Sequence, residues 1–191
     1  LQSMAKKEGC QFRDTLTGFK WIGNEAKKAV STEGCTVLVC YEVEIGFIVG
    51  HTSFDKDGIR CAATMYELAN YWMVNYQQSL LDRLQSFSQR YGFFKMVNSY
   101  FFANAAQCEQ IANKLRNYQG SGTYPTKCGE WVITSTRDCT LGKDTKFADG
   151  LSCLPIQADA QMLTFTFENG ATCTLRNSGR SEERRVGKEC R

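Results

Sequence analysis

Apolar positions between residues 58 and 76 recur at three- and four-residue steps, through Ile59, Ala62, Ala63, Tyr66, Ala69, Trp72, Met73 and Tyr76, and predict an amphipathic helix. A second helix follows, with Leu80, Leu81, Leu84, Phe87 and Tyr91 on one face and Gly92 as its stop. Upstream, the short β-branched and apolar run 36–41 predicts a strand buried on both faces of an α/β layer. Residues 22–30 read as a helix, and residues 3–8 as the end of one whose beginning is expected to precede Leu1. Strand, loop and helix therefore follow in order.

From about Met96 the texture changes: 100–102 reads as a strand, 107–115 as a helix and 118–128 as a Gly- and Pro-containing loop. Residues 162–167 alternate threonine with larger apolar side chains and meet Asn169-Gly170 before a second run to Leu175, the pattern of a hairpin with a type I′ turn. Residues 131–136 are the expected partner strand, giving a second, α+β domain with an antiparallel sheet.

Composition narrows the function classes. With 42% hydrophobic and 23% charged residues, the 191-residue chain can bury a core. The net charge is +3, and the terminal run 180–191 contributes five basic and three acidic side chains to it, which leaves +1 for the rest. That excludes an electrostatic footprint for nucleic acid or an anionic membrane. No apolar stretch is long enough to span a bilayer, and no signal-peptide pattern precedes the first helix, so a cytoplasmic protein is expected. The ten cysteines form no C-x-x-C pair and read as reduced thiols. His51 is the single histidine, which disfavours a structural zinc site, and it reads as a loop residue with no nucleophile to serve.

The run R-S-E-E-R-R-V-G-K-E-C-R at 180–191 corresponds codon for codon to a translated sequencing-library adapter, and is expected to be foreign to the natural protein. No function is assigned to it.

Several segments carry chemistry. Thr17-Gly18 offers a hydroxyl donor beside a position where backbone can approach a phosphate or sugar oxygen. Glu42 follows a strand at its carboxyl end, where α/β folds place ligand-binding loops. Lys56 precedes the long helix, whose N-terminal amides would share an anionic phosphate with its ammonium. In a bland reading these are a turn, a solvated loop acid and a turn lysine, with Asp57 as the helix cap.

The motifs in sequence order discriminate between the two. T-L-T-G-F-K-W-I-G-N at 15–24 resembles the T-x-T-G-[FW]-K-x-x-G-N segment of phosphoglucomutases, closest to the eukaryotic phosphoglucomutase-2/phosphopentomutase branch of the α-D-phosphohexomutases. Behind it, Y-E-V-E-I-G-F at 41–47 resembles the branch's sugar-binding loop F-E-E-A-I-G-F, and D-K-D-G at 55–58 is identical to its motif at a helix start. Leu115-Arg116-Asn117-Tyr118, Tyr124-Pro125, Cys128-Gly129, Arg137-Asp138 and the strand pair 161–176 resemble the same branch, so the likeness covers nearly all of residues 1–179.

The resemblance implies an α/β fold: residues 1–95 as the family's third domain, with a mixed sheet and shortened at its start, and residues 96–179 as a truncated α+β fourth domain. It implies that Thr17, Gly18, Glu42, Glu44 and Lys56 bind the phosphosugar, with Lys20 supporting the loop. Arg176, Ser178 and Gly179 would begin the R-T-S-G-T-E-P-K phosphate loop, with Asn177 in place of threonine. Val43 replaces the branch's second glutamate, and Glu44 stands where the branch has alanine.

The implied activity is intramolecular phosphoryl transfer between a sugar 1-phosphate and its 6- or 5-phosphate. It runs through a phosphoserine, with Mg²⁺ bound by a missing domain and glucose 1,6-bisphosphate as intermediate and activator. The chain holds neither the serine loop nor the metal loop, so by itself it is expected to be inactive, and the full-length protein to be a monomer. The rival readings are a glucose 1,6-bisphosphate synthase of the same family, an inactive sugar-phosphate-binding protein, and a nucleic-acid-binding module, the last disfavoured by the charge.

Overall fold

The structure is a computed structural model that describes residues 1–43, 45–50 and 52–177; Glu44, His51, Ser178, Gly179 and the run 180–191 lie outside the described residues. Two compact units divide the chain, Leu1–Asn98 and a second from Ser99 onward.

The first unit opens with a short helix α1 (Gln2–Lys7) and a longer one, α2 (Phe19–Glu33), which ends on Gly34 in the left-handed conformation at φ 65°. Arg13 bridges Glu25 and Glu33 along the side of α2. Next come β1 (Val39–Glu42) and β2 (Gly46–Val49), an antiparallel pair in the register Val39↔Val49 to Glu42↔Gly46. α2 packs against β1, and α3 (Gly58–Tyr76) against β2. Leu16, Phe19, Ala26, Ala29 and Ile48 form the buried centre.

The expected strand is present, but it starts later and is not sealed on both faces. Leu38, Val39 and Tyr41 are exposed, because the only strand paired with β1 among the described residues is β2.

Helix α3 occupies the span its periodicity predicts, with Asp57 capping it by accepting from the Arg60 amide at 2.9 Å. α4 (Leu80–Tyr91) begins with a reciprocal capping box between Ser79 and Asp82 and stops at Gly92. Neither helix contains a buried residue, and Ile59 on the apolar stripe of α3 is 87% exposed. The stripe is real, but among the described residues it stays mostly open, with only Ala69 and Trp72 on it partly buried. Arg83 of α4 instead lays its guanidinium 3.7 Å from the Trp72 ring centroid, joining the two helices through a cation–π contact.

The second unit carries α5 (Ala105–Arg116), capped by an Asn104–Gln107 box, and five antiparallel strands: β3 (Lys127–Cys128), β4 (Trp131–Asp138), β5 (Lys143–Asp144), β6 (Met162–Phe167) and β7 (Thr172–Arg176). The order is β3-β4-β6-β7, with β5 paired to β4. Ala112 of α5 packs on Leu163 and Phe165, with Leu115, Tyr124, Ile133 and Phe167 around them.

Two expectations fail here. Residues 100–102 form no strand; Tyr100 and Phe102 stay exposed, since aromatic residues without a pairing edge cannot make a ladder. The β6–β7 turn is not type I′ either: Gly170 takes φ 81° but Asn169 keeps a negative φ. The Gly170 amide donates to Phe167 and the Phe167 amide to Ala171, both at 2.9 Å. These bonds make a three-residue loop, a type I turn with its left-handed residue at Gly170. The hairpin itself is as expected.

Candidate functional site

Three segments of the first unit meet around one aromatic ring. The first is the start of α2. Leu16, 1% exposed, anchors the chain, and Gly18 then takes φ 108°, ψ 142°, a backbone state that side-chain-bearing residues rarely adopt. The Gly18 carbonyl accepts from the Trp21 and Ile22 amides at 2.9 and 3.1 Å, so the helix begins at once. No side chain caps it and no acid stands in its first turn, which leaves the leading amides and Lys20 in an environment suited to an anion. Thr17 is half-buried beside them.

The second segment is the β1–β2 turn. The Ile45 amide donates to the Glu42 carbonyl at 3.1 Å, and Ile45, although β-branched, sits at φ 65° and 83% exposed. That is a strained conformation, of the kind found where a loop serves a site. Glu42 ends β1 with its Oε2 buried and without a hydrogen-bond partner among the described residues. A buried carboxylate oxygen left unpaired is costly, and a ligand hydroxyl is a suitable donor for it.

The third segment is the loop before α3. Asp57 donates its amide to the Phe47 carbonyl at 2.9 Å, tying this loop to β2. α2 presses on it from the other side: a Cβ at Gly23 would lie 1.9 Å from the Phe54 carbonyl oxygen, so only glycine fits there. Lys56 is exposed and pairs with the Asp55 carboxylate at 3.1 Å. Hydrogen bonds from the Lys56 amide and then its ammonium hold Asp55 below the usual carboxylate range. Both partners face solvent, so the pair is weak and the ammonium can exchange it for an incoming phosphate.

Phe19 is the shared element. It is 8% exposed, with the Lys56 ammonium 5.6 Å from its ring centroid. A Cβ at Gly46 would lie 2.3 Å from its Cε2 and 3.1 Å from Glu42 Oε1. Of the residues expected at the site, Gly18, Glu42 and Lys56 thus converge on one ring. Neither Phe19, Gly23 nor Gly46 is singled out by sequence reasoning, although all three lie inside the quoted motifs, and a glycine within a helical pattern is a signal of close packing. Glu44 and His51 lie outside the described residues.

In the second unit, Arg176 ends β7 opposite Met162, and Ser178 and Gly179 lie beyond the described residues. Asn177 acts locally, since its amide donates to the Gln161 carbonyl at 3.1 Å while its Oδ1 accepts from the Gln161 amide at 2.8 Å. This reciprocal clamp closes the β6–β7 ladder just after Arg176.

Sequence reasoning also misses the strongest polar cluster of this unit. Asp138, fully buried, receives Arg116 Nε at 2.7 Å and Nη2 at 3.1 Å, Tyr124 Oη at 3.0 Å, and the Thr140 and Leu141 amides at 3.1 and 3.3 Å. Burial alone would raise the Asp138 pKa; hydrogen bonds from Arg116 and Tyr124 outweigh it and hold the carboxyl below its ordinary value. Burial, with the Asp138 charge beside it, pushes the Tyr124 hydroxyl well above the usual phenol range.

The description "Phosphoglucomutase/phosphomannomutase, alpha/beta/alpha domain III" matches residues 1–91. Human "Phosphopentomutase" is 39% identical over 180 residues, 94% of this chain and 29% of the relative. Mouse "Glucose 1,6-bisphosphate synthase" is 37% identical over the same shares, and the "Probable phosphoribomutase" of Schizosaccharomyces pombe 34% identical over 94% of this chain and 30% of its own length. The chain therefore spans under a third of the length of these relatives. No solved structure gives a significant match.

Proposed function

We propose that this chain, whose residues 1–91 match that description, belongs to the phosphoglucomutase/phosphomannomutase family and supplies the sugar- and phosphate-holding part of a phosphosugar mutase. The observation that carries this reading is the unpartnered Glu42 Oε2 at the strained β1–β2 turn, beside a ring that also carries Lys56. Glu42 accepts hydroxyls of the sugar, and the amides at the start of α2 with Thr17 approach its phosphate or ring oxygens. Lys56 exchanges Asp55 for the phosphate. Glu44, Arg176, Ser178 and Gly179 belong to the same reading, with Arg176 and the residues after it holding the phosphate that is not transferred.

The substrate class is a sugar 1-phosphate and its 6- or 5-phosphate, of glucose or of ribose and deoxyribose, with glucose 1,6-bisphosphate as intermediate and activator. The protein works in the cytoplasm as a monomer, with neither nucleic acid nor membrane as partner. No helix among the described residues is long and apolar enough to cross a membrane. Mg²⁺, which the family reading implies, does not fit this chain: among the described residues no three His, Cys, Asp or Glu side chains converge on a point. In this proposal the metal and the phosphoserine are supplied from outside this chain.

A second reading, glucose 1,6-bisphosphate synthase, is favoured by the nearly equal identity to a relative of that name. The test is turnover by the complete protein of ribose 1-phosphate and glucose 1-phosphate, run beside synthesis of the bisphosphate from a phosphoglycerate donor. Mutase turnover absent from the chain alone is the expected result. Turnover by the isolated chain, or none by the complete protein, would overturn the proposal.

A further inference from the structure

We infer that Phe19 is a positioning residue, which sets the Glu42 carboxylate and the Lys56 ammonium at a fixed spacing and so fixes how the phosphosugar is held. The inference rests on the proposed sugar-binding role of Glu42 and adds to it a residue with no polar atom of its own.

The geometry is specific. Phe19 is the first residue of α2, held in place by the Gly18 turn behind it and buried to 8% exposure. The space where Gly46 would carry a Cβ is bounded by the Phe19 ring edge and Glu42 Oε1, at 2.3 and 3.1 Å from that position. Gly46 pairs across the hairpin with Glu42 and lies outside the left-handed region, so its lack of a side chain answers the ring and not the backbone. The ring face meanwhile attracts the Lys56 ammonium from 5.6 Å. One rigid side chain thus bears on the strand turn that carries the acid and on the loop that carries the base. A flexible aliphatic residue would fill similar volume without a flat face for the ammonium or a rigid edge against Gly46.

Because both groups act on bound sugar phosphate before and during transfer, losing their spacing is expected to appear in KM and to spare kcat. The experiment is a cycle in the complete protein with glucose 1-phosphate and ribose 1-phosphate as probes. Phe19→Leu and Gly46→Ala are each expected to raise KM about tenfold with kcat changed by less than about threefold. Phe19→Tyr, which keeps the ring, is expected to stay near the parent.

The double variant F19L/G46A should raise KM by less than the product of the single effects, because the smaller side chain makes room for the new methyl. Melting temperatures of all variants separate a shift in the site from unfolding. Independent single effects, or losses confined to kcat, would overturn the inference. Glu42→Gln is measured alongside: an unchanged KM there overturns the sugar-site reading and this inference together, whereas a raised KM with no coupling between residues 19 and 46 overturns the positioning role alone.

Discussion

Glu42 and Asp138 each end a strand, and the protein treats them in opposite ways. Asp138 closes β4 in the second unit with donors from Arg116, Tyr124, Thr140 and Leu141, and none of its surface meets solvent. Glu42 closes β1 in the first unit with one oxygen buried and no donor among the described residues. A carboxylate saturated by its own fold is structural; one kept poor in donors beside a strained turn is, in the proposed function, the group that takes a ligand's hydroxyls. The surroundings differ in the same sense: the second unit closes α5 over its sheet, whereas α3 and α4 of the first contain no buried residue.

The largest expected effect falls on the saturated acid. Asp138→Ala leaves the Arg116 guanidinium, whose side chain is 14% exposed, without its ion-pair partner, and should cost about 3–5 kcal/mol in denaturant unfolding of the chain. Leu163→Ala, at a fully buried core position, should cost about 2–5 kcal/mol by the same measurement. Against it, Ile59→Ala on the open face of α3 should change stability by less than about 0.5 kcal/mol.

The pH dependence follows from the sign of the Asp138 shift. Its folded pKa lies below its unfolded one, so its contribution is complete above about pH 4, the unfolded carboxylate range, and is lost as pH falls through the folded value. Acid melts should therefore show a loss that Asp138→Asn flattens. The smallest loss sharpens the comparison most: Glu42→Gln should not destabilise the chain, because the oxygen it alters has no donor within the fold to lose. A loss comparable to that at Asp138 would make Glu42 a structural acid too.

Much of this organisation is legible in the sequence, for definite reasons. α3 and α4 follow from apolar periodicity together with the Asp57 and Ser79 caps and the Gly92 stop, all local signals. What covers α3 is not a local property, and periodicity names the apolar face without naming its partner. The β6–β7 hairpin is legible from alternation and Asn169-Gly170, but the choice between turn types rests on a difference in φ at Asn169 that both turns allow the sequence.

The Asp138 cluster joins Arg116 and Tyr124 across a helix, a loop and a strand, so no spacing rule exposes it, even though each residue sits in a recognised motif. At the candidate site, Glu42 and Lys56 are singled out by the motifs that contain them. Their placement about Phe19 is not, because the ring and Gly46 are brought together only by the packing of α2 on the hairpin.

The most direct measurement is a crystal structure of the complete protein with glucose 1,6-bisphosphate bound. There the Glu42 carboxylate is expected to accept hydrogen bonds of about 2.7 Å from sugar hydroxyls, with Lys56 turned from Asp55 to a phosphate. A sugar bound elsewhere, with Glu42 Oε2 still unpartnered and Lys56 still on Asp55, would contradict the sugar-holding role of this site.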